Sequence, residues 1–133
     1  MKNKSEIFNI LFDIAKVNNP IFRARHAACI TYKNSFISFG VNSKKSHPLQ
    51  SKYSKHEKSI YLHAEIDAIK NARYRVDLSK CVLYVARVKW NNNFTEMIFG
   101  DSKPCIGCEK AIKNFNLKGA LYTNEKGCVQ TIS

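Results

Sequence analysis

Alternating strand-like and helix-like segments place this chain in the α/β class, with a central mixed sheet of five strands and helices packed against it. Three observations carry that reading. Two short apolar runs joined by a two-residue polar turn make an antiparallel hairpin. A strand, a helix and a strand follow one another over 81–123, which requires a right-handed crossover between parallel neighbours. A final run after turn residues folds back antiparallel, so the sheet contains both kinds of pair.

The first helix starts at Ser5, whose hydroxyl suits an N-cap. It carries Ile7, Phe8, Ile10, Leu11, Ile14 and Ala15 at helical spacing until Asn18, Asn19 and Pro20 stop it. Residues 26–32 and 35–41 are apolar, β-branched or aromatic runs either side of Lys33-Asn34, a hairpin turn. Residues 42–59 are polar and read as a long loop, a length that marks functional or mobile segments. Over 60–73, Ile60, Ala64, Ala68 and Ala72 share a helical stripe with Ile66 and Ile69 beside it, placing His63 and Glu65 in the first turns.

Residues 81–88 form an apolar run broken only by Arg87, as in a central strand covered on both faces. The stretch 90–103 is irregular, and Met97-Ile98-Phe99 within it reads as packing rather than a lid or an edge extension. Pro104 suits a first helical turn and opens a helix over 105–115 that ends before Gly119. Residues 120–123 are the fourth strand, Asn124-Glu125-Lys126-Gly127 is turn chemistry, and 128–132 is the fifth strand.

A length of 133 residues with 44% hydrophobic content suits one domain, 1–133, with a real core and no room for a second. The opening Met1-Lys2-Asn3-Lys4 leads into a helix with polar interruptions, which fits neither a signal peptide nor a membrane span; a cytoplasmic protein with no membrane partner is expected. Cys29, Cys81 and Cys128 lie in or beside apolar stretches and read as buried free thiols. The net charge of +12 calls for a polyanionic partner or a phosphorylated substrate. Lys44, Lys45, Lys52, Lys55 and Lys58, with His47 and His56, crowd the long polar loop, either as phosphate contacts or as a solvated face.

His63-Ala64-Glu65 and Pro104-Cys105-Ile106-Gly107-Cys108 together supply one imidazole and two thiols for a metal. Structural zinc sites are closed by four protein ligands, whereas catalytic ones keep a position open, so three ligands point to catalytic Zn2+ held by His63, Cys105 and Cys108. Glu65, two residues beyond His63, is placed to carry protons to and from that open position. A lone C-x-x-C also occurs in redox pairs and zinc ribbons, but neither explains His63-Ala64-Glu65 at a helix start.

On this H-x-E and P-C-x-x-C signature the chain resembles the cytidine deaminase superfamily over residues 25–123. The resemblance implies a three-layer α/β/α cytidine deaminase-like fold. It also implies a zinc-dependent hydrolytic deaminase of a cytosine nucleoside or nucleotide, of cytidine, deoxycytidine or dCMP type, yielding the uracil product and ammonia. By the same resemblance Glu65 is the catalytic proton carrier. The Ala64 N–H meets the pyrimidine carbonyl, unless Ala64 is simply helix packing. Asn42 binds the sugar, with a turn residue as the alternative. Ser102 and Lys103 lie where cytidine deaminases carry a serine before Pro-Cys, here with Lys103 inserted, and are substrate-side candidates; Lys44 and Lys45 are phosphate candidates.

His26, His47 and His56 read as structural, surface or phosphate-contacting residues, since the family's three ligands are already supplied. Asp67 stands where many deoxycytidylate deaminases have asparagine, which weakens that assignment. The resemblance further associates an antiparallel last strand with free-nucleoside cytidine deaminases, whereas tRNA adenosine and deoxycytidylate deaminases insert a helix before it. Two other functions compete. One is a deaminase of cytosine or adenine within single-stranded DNA or RNA, with Tyr53, Tyr61, Trp90 and Phe94 as stacking platforms. The other is a non-catalytic zinc-stabilised nucleic-acid-binding module, against which Glu65 counts. Purine substrates share the motif, and homo-oligomers are common in the superfamily.

Overall fold

A computed structural model describes residues 3–18, 25–53, 61–126 and 129–132. Helix α1 (Lys4–Val17) is capped by Asn3, whose side chain accepts the Glu6 N–H at 2.8 Å. The cap therefore falls two residues before Ser5, and Ser5 lies within the first turn. Strands β1 (Arg25–Tyr32) and β2 (Ser35–Val41) form the expected antiparallel hairpin. Lys33 and Asn34 have φ of 50 and 61, positive at both central positions as a tight turn of this twist requires.

The stretch after β2, whose polarity predicts a loop, contains a short helix, α2 (Pro48–Tyr53). Pro48 has the fixed φ a first helical residue needs, and the His47 ring accepts the Leu49 N–H at 3.0 Å as a cap. Periodicity cannot register so short a helix, whose buried residues include the polar Gln50. Helix α3 (Ala64–Ala72) follows, then a 3-10 turn (Leu78–Lys80) and β3 (Val82–Trp90). Strand β4 (Met97–Gly100) pairs antiparallel with the end of β3, so Met97-Ile98-Phe99 is an edge strand and not only packing. Helix α4 (Ile106–Asn114), β5 (Gly119–Thr123) and β6 (Val129–Ile132) complete the order.

The sheet runs β2-β1-β3-β5-β6, with β4 beside the far end of β3. β3 and β5 are parallel, joined by the crossover through α4, and β6 returns antiparallel to β5 from Thr123↔Val129 to Ala120↔Ile132. The five expected strands thus form a mixed sheet, lengthened by the short β4. Period-two alternation divides the sheet residues between two cores. Ala27, Cys29, Tyr84 and Ala86 pack against Ile7, Phe8 and Leu11 of α1, while Ala28, Ile30, Leu83 and Val85 pack against Ile66, Ile69 and Ile112 of α3 and α4. Helices thus cover both faces, making three layers.

Helix α3 lies unusually close to the sheet. A Cβ on Gly40 would come within 2.3 Å of the Ala64 carbonyl oxygen and the Ala68 nitrogen, so only glycine fits under the helix there. The Ser38 hydroxyl donates to the Ala68 carbonyl at 2.8 Å, and the Asp67 carboxylate accepts the Val41 N–H at 3.1 Å. These polar contacts fix the helix that carries the first candidate ligand. Cys29 and Cys81 are buried free thiols; Cys128 lies outside the described residues.

Candidate metal centre

His63 is the N-cap of α3 and Cys105 the N-cap of α4, and neither uses its side chain to cap its helix. Both side chains are turned to each other instead. The His63 Nδ1 lies 3.4 Å from the Cys108 Sγ and 3.8 Å from the Cys105 Sγ, and the three ligand atoms all lie within 4.8 Å of one another. Tetrahedral zinc with bonds of about 2.3 Å to sulfur and 2.05 Å to nitrogen places such atoms about 3.6 Å apart, so the cluster has the dimensions of one zinc ion. It is the metal-competent group among the described residues, and it offers three ligands, not four.

The protonation chemistry of the cluster fits a cation. Hydrogen bonds from Cys108 and then from His63 hold the Cys105 thiol down at about 3, as a thiolate. Cys108 is pushed up by its bond to Cys105 and by burial, and His63 is raised chiefly by its bond to Cys105. Protons are thus shared among sulfur and imidazole groups that a metal ion would displace. Both ligand helices also present their N-terminal ends, which favour thiolate.

Glu65 is 5% exposed, in the first turn of α3. Burial raises its pKa above the ordinary carboxylate range, partly offset by a backbone hydrogen bond and the nearby His63, and its carboxyl also bonds with Cys108. Ala64 is fully buried against Gly40, and its N–H belongs to the first helical turn, where donors have no carbonyl within the helix to reach.

The substrate-side candidates separate in space. Asn42 is buried, with its Oδ1 accepting the His26 N–H at 2.9 Å and the Asn18 Nδ2 at 3.1 Å, so its side chain is held rigidly at the end of β2. Ser102 is 2% exposed. Its hydroxyl contacts the Val85 carbonyl at 2.9 Å, the Thr123 carbonyl at 3.1 Å and the Thr123 N–H at 2.8 Å. Ser102 therefore pins the metal loop to β3 and β5, and its hydroxyl serves the sheet rather than a ligand. Lys103 is exposed, with its N–H bonded to Asp101 at 2.9 Å.

Lys44 and Lys45 are exposed in a segment tied directly to the approach to His63: Ser43 N–H donates to the Leu62 carbonyl at 3.0 Å, and Leu62 N–H to the Lys45 carbonyl at 2.9 Å. Lys52 stacks over the Tyr53 ring at 5.6 Å, whereas Lys55, Lys58 and His56 lie outside the described residues. Tyr53 is buried, which removes it as a stacking platform; Tyr61, Trp90 and Phe94 are exposed.

Three residues acquire a place at the site that sequence alone did not give them. His26 lies opposite Arg87 in the sheet register, next to Asn42, on the face that α3 covers. Its pKa is lowered to about 4, first by burial and then by the charges of Arg87 and His63. The Arg87 Nε is buried without a partner among the described residues. A lone arginine inside an apolar strand was the available signal. Gln50 of α2, 2% exposed, accepts the His63 N–H at 3.0 Å, and nothing in its own stretch of sequence marks it.

Comparison with known proteins agrees with this geometry. The family model described as the cytidine and deoxycytidylate deaminase zinc-binding region matches residues 1–123. Among solved structures, cytidine deaminase from Burkholderia pseudomallei superposes with a TM-score of 0.61 at 16% identity, covering 94% of this chain and 91% of that one. The dCMP deaminase of cyanophage S-TIM5 in its apo form superposes with a TM-score of 0.56 at 22% identity, covering 92% and 86%. The same enzyme in complex with dCMP and dUMP gives 0.56 at 20% identity, covering 93% and 85%. At these identities the likeness is one of fold. No curated protein is a significant match in sequence.

Proposed function

Because this chain belongs to the cytidine and deoxycytidylate deaminase family, we propose that it hydrolytically deaminates a cytosine nucleoside or nucleotide, giving the uracil compound and ammonia. The observation that carries the proposal is the three-ligand cluster of His63, Cys105 and Cys108 with the buried Glu65 carboxyl beside it. Zinc bound there supplies the Lewis acidity that makes water a nucleophile near neutral pH. Glu65 carries the protons. It carries two in succession, one from the attacking water to the ring nitrogen and a second, from the hydroxyl so added, to the departing ammonia, and the burial that raises its pKa helps it hold each proton between transfers.

The rest of the chain orients the substrate. The Ala64 N–H, at the start of α3, is the donor for the pyrimidine carbonyl. Asn42, fixed by Asn18 and His26, is the sugar-side contact. Lys44 and Lys45, tied to Leu62 just before His63, meet the phosphate of a nucleotide, with Lys103 on the metal loop as a further cation. The antiparallel β6 supports a free nucleoside over a polynucleotide, following the arrangement associated with free-nucleoside deaminases, and counts against the deoxycytidylate type. A deaminase of single-stranded nucleic acid is the second reading, favoured by the exposed Trp90 and Phe94 on the β3-β4 hairpin together with the +12 charge.

The test is ammonia release from cytidine, deoxycytidine and their phosphates, purine counterparts and single-stranded oligonucleotides, by wild type and by Cys105→Ser. Zinc-dependent turnover of a free cytosine compound, lost together with zinc in Cys105→Ser, is the expected result. Turnover of oligonucleotides alone selects the second reading, and no turnover of any substrate by zinc-loaded protein overturns both.

A further inference from the structure

Helix α2 touches both halves of the metal centre. From its middle, Gln50 accepts the backbone N–H of His63 at 3.0 Å, and the Gln50 side chain is buried. His63 is the N-cap of α3, with extended backbone (φ -82, ψ 152). An N-cap N–H has no carbonyl of its own helix to reach, so an acceptor outside α3 must hold it. From its last residue, the Tyr53 carbonyl oxygen rests on Gly107, one of the two residues between the cysteine ligands. A Cβ built on Gly107 would come within 1.9 Å of that oxygen. The Tyr53 hydroxyl accepts the Asn114 Nδ2 at 3.2 Å, and its ring meets Phe115 at 6.3 Å, so one residue grips both ends of α4.

The imidazole and the thiols come from separate helices, and their mutual spacing depends on what lies between those helices. We propose that α2 is the strap that sets this spacing, with Gln50 as a positioning residue that fixes the backbone of His63 and hence the aim of its Nδ1 at the metal. This inference rests on the metal-centre reading and is independent of which substrate is turned over. Gln50 touches no reacting atom. Its effect passes through His63, as groups outside the ligand set commonly tune a metal site.

Zinc affinity measured by competition with a chromogenic chelator tests this, alongside urea unfolding of the metal-free protein. Gln50→Met keeps the volume and removes the acceptor; Leu49→Ala weakens the packing of α2 while leaving that hydrogen bond in place. Gln50→Met is expected to loosen zinc about 10- to 100-fold, whereas Leu49→Ala, even at equal loss of stability, should change zinc affinity only a few-fold. Gln50→Glu keeps an acceptor at the same place and should hold zinc like wild type. Wild-type zinc affinity in Gln50→Met overturns the proposal, and so does a loss that merely tracks stability in both variants. If Gln50→Met does not fold, Gln50→Glu decides, since loosened zinc in that variant rules the acceptor out. Failure of the wild type itself to bind stoichiometric zinc would count against the metal-centre reading instead.

Discussion

At position 65 a carboxyl group has lost nearly all contact with water, and the cost of charging it there raises its pKa. A structural acid in that setting would be a liability without compensation; one that exchanges protons with a substrate gains a working range closer to neutrality. Glu65→Gln keeps the shape and removes the proton exchange proposed for Glu65. It should lower kcat by at least about 100-fold while zinc content, measured on the purified variant, stays at the wild-type level.

His26 makes the opposite kind of statement. Its pKa of about 4 means the folded protein refuses a proton that the unfolded chain accepts below about 6.5. Stability attributable to this group is therefore constant above about pH 6.5 and falls as pH drops from there to about 4. Between pH 7 and 4.5, metal-free wild type should lose about 2–3 kcal/mol more stability than His26→Asn, read from urea unfolding at the two pH values. Equal losses would mean that His26 takes up its proton in the folded state.

Elements here are positioned by backbone contact as much as by side chains. Glycine inside a strand normally costs stability relative to larger residues. At Gly40 the sign reverses, because the added methyl would meet the Ala64 and Ala68 backbone at 2.3 Å and drive α3 off the sheet. Gly40→Ala should destabilise the fold by about 2–3 kcal/mol in urea unfolding, and by moving the first turn of α3 it should also weaken zinc binding. A neutral or stabilising result would show that α3 shifts freely over β2. The corresponding register of α4 is closed by Asn116, whose φ of 57 ends the helix while Leu117 N–H bonds to the Ile112 carbonyl at 3.1 Å.

Across the whole molecule the charge is lopsided. A net +12 is set against two ion pairs between described residues, Lys70 with Asp67 and Lys89 with Glu125. Cations left unpaired raise the potential over the surface and draw in anions. If Lys44 and Lys45 meet a substrate phosphate, changing both to Gln should raise KM for dCMP about three- to tenfold, as expected for exposed charges, and leave deoxycytidine unchanged. A polynucleotide substrate would instead show weaker binding with a flatter salt dependence. No helix among the described residues is long and apolar enough to cross a membrane.

The amino-acid order alone determined the residues of the candidate site and the sequence of most elements. His63, Glu65, Cys105 and Cys108 sit at fixed short spacings within their own segments, and helix or strand periodicity is likewise a property of a segment read by itself. Hence β1, β2, α3, β3, α4 and the returning last strand were legible, with boundaries shifted by a few residues. Tertiary structure decided what depends on partners far away in the chain. It made a helix of 48–53, paired Met97–Gly100 with β3, committed the Ser102 hydroxyl to Val85 and Thr123, and set Gln50 against His63. It also brought Asn42 and Arg87 beside His26, within reach of the His63 charge. The physical reason is the same in each case: a polar side chain carries no sign in the sequence of whether its hydrogen bonds will go to water, a ligand or a buried backbone, and only packing settles which of these remains within reach.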